Sequence, residues 1–382
     1  DDGRNEGAGS RKVRLRKKTD GEAERMSGEG RKRVAVIPGD GIGVEVTAEA
    51  VKVLRAAAGA GGRKLEMVEF EWGAEKYLRE GVSLPAGAEE MLRQEFDAIL
   101  LGAVGDPRVP SNQPAMDILL GLRFKLDLYA NVRPVELYDK RLTPLKDRAE
   151  ADVRFVVIRE NTEGAYVGMG GNFKKGTKDE VAIEEDLNTW KGVERIIRFA
   201  FEYARARGLK RVCMSDKSNA LTYGHGLWQR VWAEVRKEYA EIESSHLYID
   251  TLAMELVRDP RQFDVIVTCN LFGDIISDLG AQLAGGLGLA PSGNIHPGQV
   301  SMFEPVHGSA PKIAGKGIAN PLAAILAGAM MFEYLGWKNE AKAIADAVRE
   351  AVREGQVTQE LGGRLGTREC GEWVTRRVAG RG

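Results

Sequence analysis

From residue 33 onward, short apolar runs alternate with segments in which apolar residues recur every three or four positions. These are the signatures of buried strands and of helices with one buried face. "RVAVIPGDGIG" reads as a strand entering a Gly-rich turn, and the helix after it is expected to bury Val44, Ala48, Val51, Leu54 and Ala58. Further strands are expected at 97–104, 152–158, 210–216 and 264–270. Helical spacing returns in Val193, Ile197, Ala200 and Ala204, closed by Gly208, and again in Leu227, Val231 and Val235. The run "PLAAILAGAMMF" at 321–332 is apolar on every face but too short to span a bilayer, so it reads as a buried helix. Strands apolar on both faces, separated by amphipathic helices, predict an α/β protein with a largely parallel sheet whose ligands gather at the carboxyl ends of the strands. The turn "GDGIG" at 39–43 does not make this a Rossmann fold, because position 44 is Val and no glycine closes the dinucleotide spacing.

The length of 382 residues allows one large or two ordinary domains. Residues 1–30 are polar, Gly-rich and charged without apolar periodicity, which predicts a disordered tail. Its basic run "RKVRLRKK" lacks the apolar core of a secretory signal and reads as solvated. Met26, just ahead of the first strand, is read as the biological start, with residues 1–25 as upstream sequence. With 55 basic and 56 acidic residues and a net charge of −1, nothing draws the chain to nucleic acid or an anionic membrane, and a small compact substrate is expected. Cys213, Cys269 and Cys370 are isolated, which suits reduced thiols in a cytoplasmic protein, and four scattered histidines argue against a zinc site.

"NLFGDIISDL" sets Asp274 and Asp278 four apart in an apolar run, hence on one helical face. Two readings stand: an N-cap followed by a solvated residue, or hard oxygen ligands for a divalent cation. Other charged or polar residues cluster at the ends of apolar segments: Arg123, Arg133, Arg159, Tyr166, Lys217, Asn219 and Asp250. Singly each reads as a surface or ion-paired residue. Together they supply what a polycarboxylate pocket needs: arginine forks for carboxylates, carboxylates for a metal, and Lys and Tyr for proton transfer.

"VIPGDGIG", "ANVRP", "IRENTEGAYVG", "SDKSNAL", "NLFGDIISDL" and above all "FEPVHGSAPKIAGKGIANPLAAIL" at 303–326 resemble the isocitrate and isopropylmalate dehydrogenase family of β-decarboxylating dehydrogenases, from about residue 33 to the end. The resemblance implies an α/β isopropylmalate dehydrogenase-like fold of two domains. A discontinuous cofactor-binding domain would comprise 31–128 plus 285–382, and a substrate and dimerisation domain 129–284. It also implies a homodimer with shared active sites. Asp274 and Asp278 of one subunit, with Asp250 of the other, match ligands of Mg2+ or Mn2+. Lys217 matches the base delivered alongside Asp250, Tyr166 the catalytic tyrosine, and Arg123, Arg133 and Arg159 the carboxylate clamp. Gly41 and Ile42 match positions near the nicotinamide, and His307, Gly308, Ala310, Lys312, Ile313 and Asn320 match the adenosine-binding segment.

By the same resemblance Leu119 and Leu120 would face the C3 substituent of a 3-substituted malate, as leucines do around the isopropyl group in isopropylmalate enzymes. The implied activity is NAD-linked oxidative decarboxylation, with 3-isopropylmalate as first choice. Met116, where an acidic residue is usual, and Val44, where proline is usual, leave D-malate or tartrate as alternatives. A non-catalytic regulatory subunit is a further alternative, opposed by the complete set of Tyr166, Lys217 and the aspartates. Lys312 followed by Ile313 is half of the NAD pattern and half of the NADP pattern, and the surrounding "GKGIANP" favours NAD with modest discrimination against NADP.

Overall fold

The computed structural model describes residues 30–109 and 112–380; the tail, Met26 included, lies outside the described residues apart from Gly30. The first unit runs β1 (Lys32–Gly39), α1 (Ile42–Ala60), β2 (Leu65–Glu69), α2 (Ala74–Glu80), α3 (Ala88–Glu95) and β3 (Ala98–Ala103). A π-helical turn, Ala115–Leu120, then leads directly into α4 (Gly121–Lys125). Next come β4 (Ala130–Glu136), β5 (Arg154–Glu160), a ribbon of β6 (Gly170–Phe173) and β7 (Val181–Glu184), α5 (Trp190–Arg207), β8 (Arg211–Asp216), α6 (Gly224–Val235), β9 (Glu243–Tyr248) and α7 (Ile249–Arg258). The chain finishes with β10 (Val265–Thr268), α8 (Asn270–Leu283), β11 (Pro291–Ile295), β12 (Ser301–Pro305), α9 (Leu322–Tyr334), α10 (Lys338–Arg353) and α11 (Thr367–Ala379).

Ten strands form one sheet in the order β2-β1-β3-β12-β11-β4-β5-β10-β8-β9. The flanks are parallel as expected, but β12, β11, β4 and β5 pair antiparallel at the centre. Six of the nine pairings in the sheet are parallel, as expected, and the antiparallel centre, which was not expected, makes the two parallel flanks run in opposite senses. Strands β4, β11 and β12 carry Pro, Gly, Asn and Ser among their apolar residues, so they do not present the continuous apolar runs by which parallel strands are recognised.

Helices cover both faces. On one face α3 and α4 pack over Ile37, Ile99 and Met302, and α7 and α8 over Val135, Phe155 and Val157. On the other, α1, α9, α10 and α11 pack over Val36 and Phe303, and α5 and α6 over Val132 and Val267. Helix α9 is the expected apolar helix and buries ten of its 13 residues. In α5 the predicted stripe of Val193, Ile197, Ala200 and Ala204 is buried and Gly208 closes the helix in the left-handed region.

Helix α1 keeps part of its predicted face, with Leu54 and Ala58 buried and Val51 half-buried against the core, but Val44 and Ala48 are exposed, and Val46, Ala50, Val53 and Ala57 are buried instead. Gly43 sets this rotation, because it lies so close to β3 that a Cβ there would stand 2.5 Å from the amide nitrogen of Ala103. The buried series then follows at three- and four-residue steps from Gly43.

Candidate active site

On the face shared by α4 and α8, register places polar side chains side by side across the antiparallel centre. Ser292 pairs with Glu304, Asn294 with both Met302 and Asn131, Asn131 with Arg159, and Arg133 with Val157. Asn131 Nδ2 donates to Ser292 Oγ at 2.7 Å and to Asn294 Oδ1 at 3.0 Å, and Asn294 Nδ2 donates to Glu304 Oε1 at 2.8 Å. From α4, Arg123 Nη2 reaches the same Glu304 oxygen at 3.0 Å. This buried network is the floor of the site.

Helix α8 forms one wall. It begins at Asn270, so Asp274 sits inside the helix and the N-cap reading fails. Asn270 Oδ1 accepts from both Nε and Nη2 of Arg159, at 2.9 and 2.7 Å. One turn on, Asp274 accepts from Arg159 Nη1 and, at 2.7 Å, from the Tyr166 hydroxyl, and lies 3.1 Å from Arg133 Nη1. Arg133 also donates to Ser277 Oγ at 2.7 Å and stands 3.6 Å from Asp278. The helix approaches this closely because residue 273 is glycine: a Cβ there would be 2.5 Å from Arg159 Cγ.

Arg123, Arg133, Arg159, Tyr166, Asp274, Leu119 and Leu120 line a single cavity of about 270 Å³. Leu119 and Leu120 reach it from the π-helical turn, a form frequent at functional sites. The three arginines are 4, 6 and 1 % exposed. Burial, then the charges of Arg133 and Arg123, pull the Arg159 guanidinium down to about 9, with Asp274 working against them. Burial pushes the Asp274 carboxyl up, but Arg159 and then Arg133 outweigh it and hold it below the usual carboxylate range. Loss of water raises the Asp278 carboxyl, Arg133 works against that, and Asp274 adds to it. Burial, then the bond to Asp274, raises the Tyr166 phenol and keeps it protonated.

Lys217 and Asp250 do not line this cavity. They follow β8 and β9 at the far edge of the sheet, where Lys217 Nζ lies 2.6 Å from Asp250 Oδ1. Among the described residues no three His, Cys, Asp or Glu side chains converge on a metal position. The cation test is therefore half met: Asp274 and Asp278 supply two hard oxygen groups on one helical face, their mutual repulsion partly offset by Arg133, and a third group has to come from elsewhere.

The expected cofactor residues fall on one loop and the turn beside it. Ile42 N–H donates to Ser309 O at 2.8 Å, which seats Gly41 against the loop, and Glu45 accepts from Gly315 N at 3.3 Å. His307 and Gly308 line the cavity, Ala310 holds φ +39°, Lys312 is exposed and Ile313 is half-buried. Burial pulls the His307 imidazole down, so it is neutral at pH 7. His307 Nε2 and Asn320 Nδ2 are buried without partners, an unmet polar demand that a nucleotide fits. Glu304, Asn131, Asn270 and Asn294 were missed as site residues. Their signal was a polar residue inside or directly after an apolar strand, as in "SMFEP" and "VIVTCN".

The model of the isocitrate/isopropylmalate dehydrogenase family matches residues 33–374. The 3-isopropylmalate dehydrogenase of Thermobifida fusca is 50% identical over 352 residues, covering 92% of this chain and 98% of the relative. That of Corynebacterium kroppenstedtii is 51% identical over 339 residues, covering 87% and 98%. Among solved structures, isocitrate dehydrogenase from Methylococcus capsulatus superposes with a TM-score of 0.82 at 38% identity, covering 91% of this chain and 99% of that one. A β-decarboxylating dehydrogenase from Thermococcus kodakarensis does so at 0.75 and 39%, covering 91% and 96%.

Proposed function

Because the chain belongs to the isocitrate/isopropylmalate dehydrogenase family, we propose that it oxidises and decarboxylates (2R,3S)-3-isopropylmalate to 4-methyl-2-oxopentanoate and CO2, the step used in leucine biosynthesis, with NAD as acceptor. The carrying observation is one cavity in which three buried arginines face two leucines. The arginines would hold the two carboxylates of the malate core, and Leu119 and Leu120 would take an apolar group at C3.

In this reading the two α/β domains divide at about residues 128 and 284, and the active site is completed by a second copy of the chain. Two features support that. Lys217 and Asp250 stand outside the cavity, and apolar side chains are exposed on α7 and α8 (Met254, Val257, Leu271, Ile275) and on the β6–β7 ribbon (Phe173, Val181, Ile183). An isolated two-stranded ribbon is marginal in water, so this one calls for a partner. The three cysteines are buried and unpaired, which suits the reducing cytoplasm.

Lys217 of the second copy would take the proton of the C2 hydroxyl, with Asp250 holding its amine. The arginines would fix the malate core, and Tyr166 would give a proton to C3 after CO2 leaves. Bound NAD would supply the hydride acceptor, and bound Mg2+ or Mn2+ would supply Lewis acidity at the C2 oxygen. Asp274 and Asp278, with Asp250 of the second copy, would hold the cation.

The test is an assay of the purified protein crossing 3-isopropylmalate, D-malate, tartrate and isocitrate with NAD and NADP. Each extra buried carbon contributes about 0.8 kcal/mol, so 3-isopropylmalate should exceed D-malate in kcat/KM by roughly ten- to a hundredfold. Equal or better use of D-malate sinks the substrate assignment. Turnover should vanish in excess chelator and return with Mg2+ or Mn2+.

A further inference from the structure

Lys217 hangs on a histidine that the proposed reaction does not use. Its carbonyl accepts from the amides of Ala220 and Leu221, at 2.9 and 2.8 Å, and so opens the turn into α6. Its own N–H donates across that turn to Nδ1 of His225, 2.8 Å away in the first turn of α6. A backbone amide only donates, so Nδ1 is the bare nitrogen and the ring proton is on Nε2. Nε2 lies 3.7 Å from Asp186 Oδ2. The ring is 1 % exposed and meets Phe272 of α8 nearly edge-on, with centroids 5.2 Å apart. Burial pulls the imidazole below its usual value, so it stays in the neutral, accepting form. One ring thus touches the Lys217 turn, the segment after the β6–β7 ribbon, and the first turn of α8.

We propose that His225 is a positioning residue for Lys217: by accepting the Lys217 N–H it fixes the direction in which the lysine side chain leaves the backbone, and with it the setting of the amine on Asp250. The proposal rests on Lys217 being the base. Packing alone would need only the volume of the ring, whereas positioning needs the acceptor at Nδ1. His225→Asn keeps a carbonyl oxygen near Nδ1, and His225→Leu keeps apolar volume but removes the acceptor.

In the full-length enzyme, His225→Leu should lower kcat roughly tenfold with little change in KM, because a base displaced by a fraction of an ångström loses rate and not binding. His225→Asn should recover most of that loss. If His225→Leu does not fold, His225→Gln, whose amide reaches the Nε2 position but not Nδ1, replaces it with the same expectation. Added to Lys217→Ala, the His225 change should cause no further fall in residual turnover. Wild-type kcat in His225→Leu, no rescue by Asn, or full additivity with Lys217→Ala overturns the proposal. High turnover in Lys217→Ala alone instead removes the base assignment, and the proposal with it.

Discussion

At Tyr166 the phenol already points at Asp274, 2.7 Å away, and Arg159 stands over its ring at 5.1 Å. Replacing Tyr166 with Phe removes only the hydroxyl, so the fold should hold while turnover falls roughly 10²- to 10⁴-fold. Single-turnover kinetics should show hydride transfer affected less than proton return, and a near-normal rate would take Tyr166 out of the mechanism. Lys312 poses a different question. It is exposed, and a lone solvated cation contributes about 1 kcal/mol or less to holding a 2'-phosphate. Lys312→Asp should therefore sharpen the preference for NAD mainly by weakening NADP, read as the ratio of the two kcat/KM values. A wild-type preference for NADP beyond about a hundredfold would exceed what this residue can supply.

Helix α8 carries the carboxylate pair, and its distance from the sheet is set by what it lacks. Gly273 faces Arg159, and a Cβ on Gly280 would stand 2.8 Å from Val135. Gly273→Ala should push the helix off Arg159, costing about 1–3 kcal/mol as overpacking does and raising KM for the substrate. Denaturant midpoints and initial rates check both. Unchanged KM at lowered stability would mean that the clamp tolerates the shift. The aspartate spacing was legible in the sequence as a shared face, because a four-residue step fixes that on any helix. That Asp274 sits inside the helix and is engaged by two arginines depends on β4 and β5 lying beneath it, and these strands are far away in the chain. The face of α1 is legible only in its second half, at Val51, Leu54 and Ala58, for a related reason: periodicity gives a stripe, but contact at Gly43 decides its rotation.

For the molecule as a whole, the decisive question is whether one site is built from two chains. Lys217→Ala and Asp274→Asn proteins should each be nearly inactive alone. If they are unfolded and refolded together in equal amounts, half the dimers are mixed, and each mixed dimer holds one site with both wild-type groups. About a quarter of wild-type turnover should then return. No recovery, with mixed dimers present by native mass spectrometry, would place all catalytic groups in one chain. Local sequence alone settled the alternation of strands and helices, the buried α9, the family motifs and the residue types of the site, since each depends on near neighbours or on side-chain chemistry. Tertiary structure decided the antiparallel centre, because Asn131, Ser292 and Asn294 break the apolar runs that betray buried strands and acquire partners only across the sheet. It also decided that Arg123, Arg133 and Arg159 share one cavity while Lys217 and Asp250 stand apart from it. Charges so distant in the chain are brought together or kept apart only by strand order and register, and no local pattern encodes those.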